Sequence, residues 1–237
     1  ELLGEGFDLH CGGQDLMFPH HENERAQAVA LGKRFANHWM HNGFVVDTEG
    51  EKMSKSIGNV QNLLDLTDHY DPRAYRMVLL QTHYRSPVRV SQDNIDASVK
   101  ALAGLDSFAA RTAGAAAGAA PDTQVVAAFC ERMDDDLDSP GAMAIVFDTV
   151  RRSNAALDAG DHALAGTLAA TVINLCSAVG LELKAAGDVP AEVQAKAAAL
   201  DAARAGKDFA AADAIRAELQ GAGWIVETTK QGTSVRR

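Results

Sequence analysis

FDLHCGGQDLMFPHHENERAQA, residues 7–28, is the stretch that decides the fold of the first part of the chain. It opens with a strand-like run, Phe7-Asp8-Leu9, that ends at His10, turns through Gly12 and Gly13, offers an acid at Asp15 and passes into helical spacing. A strand, a glycine turn, an acid and a helix make a nucleotide-site arrangement: glycines let the backbone approach a ligand closely, and a carboxylate can accept from a sugar hydroxyl. The G-x-G-x-x-G spacing is absent, so this is no dinucleotide fingerprint. Pro19 suits the first turn of a helix, which puts His20 and Glu24 four apart on one face. Imidazole plus carboxylate at that spacing is half of a zinc site. It is equally what a helix start looks like when acids answer the dipole and histidines sit as exposed caps.

Working outward, composition bounds the rest. The chain has 237 residues, 47% hydrophobic and 23% charged, ordinary values for one large domain or two to three small ones. No apolar run approaches the ~18 residues needed to cross a bilayer, and the start, Glu1-Leu2-Leu3, carries neither a basic leader nor Met. The expectation is a soluble, cytoplasmic chain without a membrane partner that does not begin where its gene does. Cys11, Cys130 and Cys176 are far apart and odd in number, which argues against a disulfide framework and fits a reducing compartment. A formal charge of -10 disfavours indiscriminate attraction to nucleic acid but leaves room for a local basic surface.

The texture changes along the chain. Up to about Val90 strand-like runs, such as Trp39 to Val46, mix with helical ones, an α/β portion. From there the pattern is mainly α. Ser91 can cap a helix to about Arg111 through Ile95, Val99, Leu102 and Leu105. Thr112 to Asp122 has no large apolar side chain and reads as a linker. Helices follow from Thr123 to Asp136, from Pro140 (capped by Ser139) to Leu157, and from Asp161 to Val179, ended by Gly180; the four would form an antiparallel bundle. Stripes such as Ala142, Val146 and Val150, or Leu168, Val172 and Leu175, are packing. MDDDLDSP, with Asp134, Asp135, Asp136 and Asp138, lacks the spacing of a calcium loop and reads as a helix end and cap. After a loop at Lys184 to Pro190 come two helices parted at Gly206, the second capped by Asp208, and a hairpin around TKQGTS.

A second concentration of chemistry is EKMSKSIGN, residues 51–59, where Lys52 and Lys55 flank hydroxyl residues in a glycine-bounded loop. Such ammonium groups suit phosphate oxygens and a transition state building charge on an α-phosphorus, although a solvated lysine turn is the commoner use of such a sequence. Lys52-Met53-Ser54-Lys55-Ser56 resembles the signature loop of class I aminoacyl-tRNA synthetases. Together with GGQDLMFPHHENERAQA and NHWMHNGFV it is similar to the cysteinyl-tRNA synthetase family, a likeness that continues through YDPRAYRMVLLQTHYRS, MDDDLDSPGAMAIVFD and ARAGKDFAAADAIRAELQGAG.

The resemblance implies the C-terminal half of such an enzyme: residues 1–90 the last part of a class I Rossmann-type catalytic domain, 91–185 a tRNA-binding helical bundle, and 190–237 a small α+β anticodon-binding domain. It implies ATP-dependent activation of cysteine, with Mg2+, and transfer to tRNA(Cys) by a monomer. It implies Zn2+ held by two cysteines upstream together with His20 and Glu24, with Cys11 not a ligand, His21 a supporting or capping group, and His10 and Trp39 lining the site. Lys55 falls on the ATP phosphates, Lys52 is accessory, and Asp15 with Gly12 and Gly13 falls on the adenosine side. Without the upstream ATP motif and cysteines, the fragment is expected to be inactive alone and to hold little zinc.

Between 204 and 237 the chain carries Arg204, Lys207, Arg216, Lys230, Arg236 and Arg237 against Asp208, Asp213, Glu218 and Glu227, a local basic excess that suits phosphate contacts. Thr228 and Val235 depart from the family's common pattern there, which leaves the anticodon-reading residues open. Two alternatives remain: a ligase of the mycothiol type joining cysteine to an amino-sugar, which the likeness over the C-terminal region disfavours, and a noncatalytic tRNA-binding module.

Overall fold

A computed structural model describes residues 3–46, 69–184, 190–229 and 232–236. The chain divides into two compact units, Glu1–Leu183 and Lys184–Arg237.

In the first unit, β1 (Phe7–Gly13) pairs in parallel with β2 (Ala36–Asn42), from Phe7 opposite Ala36 to Gly13 opposite Asn42. Parallel pairing demands a crossover, and the chain supplies it as a 3₁₀ turn (Gln14–Leu16), a single π-type turn (Met17–His21) and α1 (Glu22–Ala30). The strand therefore runs through His10 to Gly13. The helix begins three residues after Pro19, for Phe18 is extended (φ -141°, ψ 134°). A residue before proline is pushed out of the α region, so Pro19 opens a turn and Glu22 and Glu24 face the dipole in the helix proper. The run from Trp39 to Val46 is likewise two strands. Gly43 breaks it, because a Cβ there would lie 2.2 Å from the Ser86 carbonyl oxygen. Beyond it β3 (Val45–Val46) pairs in parallel with β4 (Val88–Arg89). The lysine loop, Lys52 to Ser56, lies outside the described residues.

The remaining elements described in this unit are helices. Asp71 caps α2 (Pro72–Leu80) by accepting from Arg73 N, with Pro72 at the first position. Ser91 caps α3 (Gln92–Ala116), and Asp122 caps α4 (Thr123–Asp134). Asp138, rather than Ser139, caps α5 (Ser139–Asp158), its Oδ1 accepting from Gly141 N at 3.0 Å. Asp161 caps α6 (His162–Ala178). The core joins Met77 of α2, Leu105 and Phe108 of α3, Phe129 of α4, Val146 of α5 and Val172 and Leu175 of α6.

The stretch expected to be a linker is partly helix. Thr112 to Ala116 belong to α3, and Thr112 is fully buried, its hydroxyl donating to the Phe108 carbonyl at 2.8 Å. Small side chains there serve close approach, since a Cβ on Gly166 of α6 would sit 2.1 Å from the Ala115 carbonyl oxygen.

The second unit packs α7 (Ala191–Ala205) and α8 (Phe209–Gly221), with Asp208 capping α8, beside an antiparallel hairpin of β5 (Ile225–Thr229) and β6 (Gly232–Arg236). Leu200 and Leu219 are each 1% exposed. Asp201 ties the hairpin to α7 by accepting from Thr233 N (2.9 Å) and Thr233 Oγ1 (2.6 Å).

Candidate functional site

The parallel register sets His10 beside Trp39 and Gly12 beside His41, and the period of two keeps all four on one face of the sheet. The crossover then brings the start of α1 over that face. His21 arrives only 4% exposed, Nδ1 2.8 Å from His41 Nε2, and its ring packs edge-on to His10 at 4.5 Å between centroids. Gly12 makes room: a Cβ there would lie 2.6 Å from His21 Cε1. Trp39 floors the cluster, 4.9 Å from the His10 ring and 5.2 Å from that of His21.

Glu24, one turn into α1, reaches back into the same group. Its Oε2 is 3.0 Å from His10 Nε2 and its Oε1 is 3.7 Å from His20 Nε2. The Oε2 contact lies outside hydrogen-bond geometry, so this buried oxygen accepts from no donor. Donor atoms of His10, His21 and Glu24 all lie within 4.8 Å of one another. Burial lowers the pKa of His21 most, the neighbouring His10 and His41 add to it, and Glu24 opposes them. At neutral pH His21 is therefore uncharged, with Nδ1 engaged by His41 Nε2. An orphaned carboxylate oxygen beside imidazoles is the donor chemistry of a divalent-cation site, and Glu24 with these histidines, His20 at the rim included, fits zinc.

Of the residues singled out in the sequence, His20 and Glu24 are brought together as their spacing requires, but the His20 side chain is 59% exposed and stands at the rim. His10 and Trp39 are in the cluster. Cys11 lies between His10 and Gly12, on the opposite face of β1 and exposed. Gly13 ends β1 close to Asp15, a Cβ there falling 2.6 Å from Asp15 Oδ1. The adjoining Gln14 donates from Nε2 to the Arg85 carbonyl at 3.1 Å. Lys52, Met53, Ser54, Lys55 and Ser56 lie outside the described residues, so their relation to Asp15, Gly12 and Gly13 is not part of this geometry. Sequence reasoning missed His41, which holds the His21 ring in place. The signal was there in Trp39-Met40-His41, an alternation that puts two rings on one side of a strand.

In the second unit, Arg216 donates to the Thr228 hydroxyl at 2.7 Å, so one member of the basic group is held against the hairpin.

Residues 1–100 match the family described as tRNA synthetases class I (C) catalytic domain, and residues 128–184 match the DALR domain. A protein of Kocuria rhizophila named cysteine–tRNA ligase is 43% identical over 99% of this chain and 51% of its own length. Its namesakes of Paenarthrobacter aurescens and Halorhodospira halophila are 41% and 42% identical over 99% and 100% of this chain. The chain spans about half the length of these curated relatives. Among solved structures, a LeuRS of Agrobacterium radiobacter K84 in a ternary complex with tRNA and LeuAMS superposes with a TM-score of 0.57 at 17% identity, over 73% of this chain and 27% of its own. A Mycobacterium tuberculosis methionyl-tRNA synthetase in complex with methionyl-adenylate gives 0.52 at 20% identity, over 73% and 40%. At these identities the likeness shows a shared class I synthetase fold.

Proposed function

The chain is a homologue of the cysteine–tRNA ligases over essentially its whole length, and from that premise we propose that it forms about half of an enzyme that activates cysteine with ATP and transfers it to tRNA(Cys). The observation that carries this reading is Glu24 Oε2, buried without a donor between imidazoles. In this reading His20 and Glu24 hold Zn2+ together with two cysteines from outside this chain. The ion, when bound, supplies a soft Lewis acid that takes a substrate thiolate in preference to a serine hydroxyl. Selection by ligand chemistry suits the task, because a hydrophobic pocket separates near-isosteres by only ~1–3 kcal/mol.

The chain's own residues then position and neutralise. His10 and Trp39 wall the amino-acid side of the pocket, and the buried His21, fixed by His41, backs that wall. Asp15, with the turn at Gly12 and Gly13, serves the adenosine. Lys55, helped by Lys52, meets the phosphates of Mg2+-ATP as the cysteine carboxylate attacks the α-phosphorus and pyrophosphate departs. The terminal ribose hydroxyl of the tRNA next attacks the acyl carbon and releases AMP. The residues of 91–185, which include the DALR match, take the tRNA stem and elbow, and those of 190–237 the anticodon, with Arg204 and Lys207 toward phosphates. The assembled enzyme is a cytoplasmic monomer in this reading, and the chain alone does not charge tRNA.

Cysteine-dependent pyrophosphate exchange by the full-length enzyme tests the assignment. Removing both donors, as His20→Ala with Glu24→Gln, should collapse the preference for cysteine over serine. Unchanged preference would overturn the donor assignment, and ligation of an amino-sugar in place of tRNA would overturn the substrate.

A further inference from the structure

The loop after α2 touches three things at once. Its Tyr84 carbonyl accepts from Gly43 N at 2.7 Å, and its Ser86 carbonyl packs so closely on Gly43 that no Cβ fits there. Its Arg85 carbonyl accepts from the Gln14 side chain, in the turn between Gly13 and Leu16. Its side chains reach the opposite way, to the turn joining α4 and α5. There Asp136 accepts from Arg85 Nε at 2.6 Å, from Arg85 Nη2 at 2.8 Å and from the Tyr84 hydroxyl at 2.7 Å. His83 Nε2 is 3.8 Å from the same carboxylate, and the Arg85 guanidinium lies over the Tyr84 ring at 5.1 Å.

Asp136 is presented at a backbone cost. It and Leu137 both have φ of 55°, a left-handed pair without glycine. The pair is also exposed, with 58% of the Arg85 side chain and 44% of that of Asp136 in solvent, where an ion pair adds little to stability. A strained turn that delivers one carboxylate to two side chains on a loop, for little gain in stability, is better explained by what that loop holds.

We propose that Asp136, in the helical bundle, is a positioning residue for the turn Gly13–Leu16: it fixes Tyr84 and Arg85 from one side, and the Arg85 carbonyl fixes Gln14 from the other. Its consequence for catalysis rests on the reading above, in which that turn serves the adenosine of ATP. Asp136 touches no substrate and acts through the loop alone.

Asp136→Asn is the informative variant, since Asn tolerates a left-handed backbone and keeps the side-chain shape while losing the charge. In this chain, backbone hydrogen exchange should rise several-fold in segments covering 82–88 and 11–18, with α6 unchanged to show that the fold persists. Arg85→Met should do the same, and the double variant should add nothing more. Wild-type exchange at 11–18 beside a loosened 82–88 would overturn the proposal. In the full-length enzyme, Asp136→Asn should raise KM for ATP several-fold in pyrophosphate exchange, with kcat and KM for cysteine within about twofold; an unchanged KM for ATP would overturn the positioning role. If the wild-type full-length enzyme shows no cysteine-dependent exchange, the ligase reading fails, and hydrogen exchange alone decides the contact.

Discussion

Gly166 of α6 meets Ala115 of α3 so closely that a Cβ at 166 would lie 2.1 Å from the Ala115 carbonyl oxygen and 2.9 Å from its carbon. The obstacle is backbone, which cannot swing aside as a side chain can. Gly166→Ala should therefore part the two helices and cost about 1–3 kcal/mol, the usual range for overpacking. Gly104, in the same α3, has nothing within 4 Å of a built Cβ, so Gly104→Ala should stabilise by up to ~1 kcal/mol through helix propensity alone. Urea midpoints of this chain should move in opposite directions for the two. A Gly166→Ala chain as stable as wild type would show that the helices do not approach in this way.

That contact also explains one misreading. Signals that act within a few residues were legible: Ser91 and Asp208 cap the helices that follow them, and Ile95, Leu102 and Leu105 are buried as their spacing implies. Thr112 to Ala116 looked like a linker because a face of alanine and glycine carries no amphipathic period, although it is what close helix packing uses. At the site, the His20 and Glu24 spacing was readable because both lie on one turn of chain. The approach of His10 and His41 to His21 was not, because parallel register is fixed by the sheet and no spacing within either strand encodes it.

Arg73 ties the start of α2 to α3. Its guanidinium takes both oxygens of Asp106, at 2.9 and 2.8 Å, while Nε and Nη2 hold Asp71 and Nη1 also donates to the Glu182 carbonyl at 2.6 Å. Burial works against the charge, but the hydrogen bonds that Arg73 donates to Asp106 and Asp71 outweigh it and raise the pKa. Arg73→Met would leave two carboxylates facing each other, at a cost of about 3 kcal/mol, the low end for a broken buried pair because these groups are partly wet. Arg73→Lys keeps the charge but loses the fork and should cost roughly half as much. Equal losses for Lys and Met in urea unfolding would show that the planar geometry contributes nothing.

The three cysteines should divide two to one. Cys11 and Cys130 are exposed, whereas Cys176 is fully buried in the core and its thiol is pushed up to about 12, by burial first and then by Asp106. A disulfide thiol reagent at pH 8 should modify two thiols in the native chain and the third only in denaturant. The linkage has a definite sign. A thiol whose folded pKa exceeds its unfolded value near 9.0 contributes stability present below that value and lost as pH rises from there toward about 12. Cys176→Ala should therefore flatten part of the alkaline fall in stability, and an unaltered alkaline profile would remove burial of this thiol as a cause.

Gly12 admits two explanations that one pair of substitutions separates. As a nucleotide-turn glycine it would keep the backbone open to ATP. In the structure its missing side chain is answered by His21, whose Cε1 and Nε2 would stand 2.6 and 3.0 Å from a Cβ, while His41 blocks retreat at Nδ1. Gly12→Ala should then destabilise this chain by about 1–3 kcal/mol without any ligand present. Adding His21→Ala removes the obstacle, so the double variant should be less destabilised than the sum of the two singles, an interaction of about 1 kcal/mol or more for residues in contact. Additive losses in the cycle, or a Gly12→Ala chain of wild-type stability that only binds ATP less well in the full-length enzyme, would return this glycine to the nucleotide and leave His21 packed by the sheet alone.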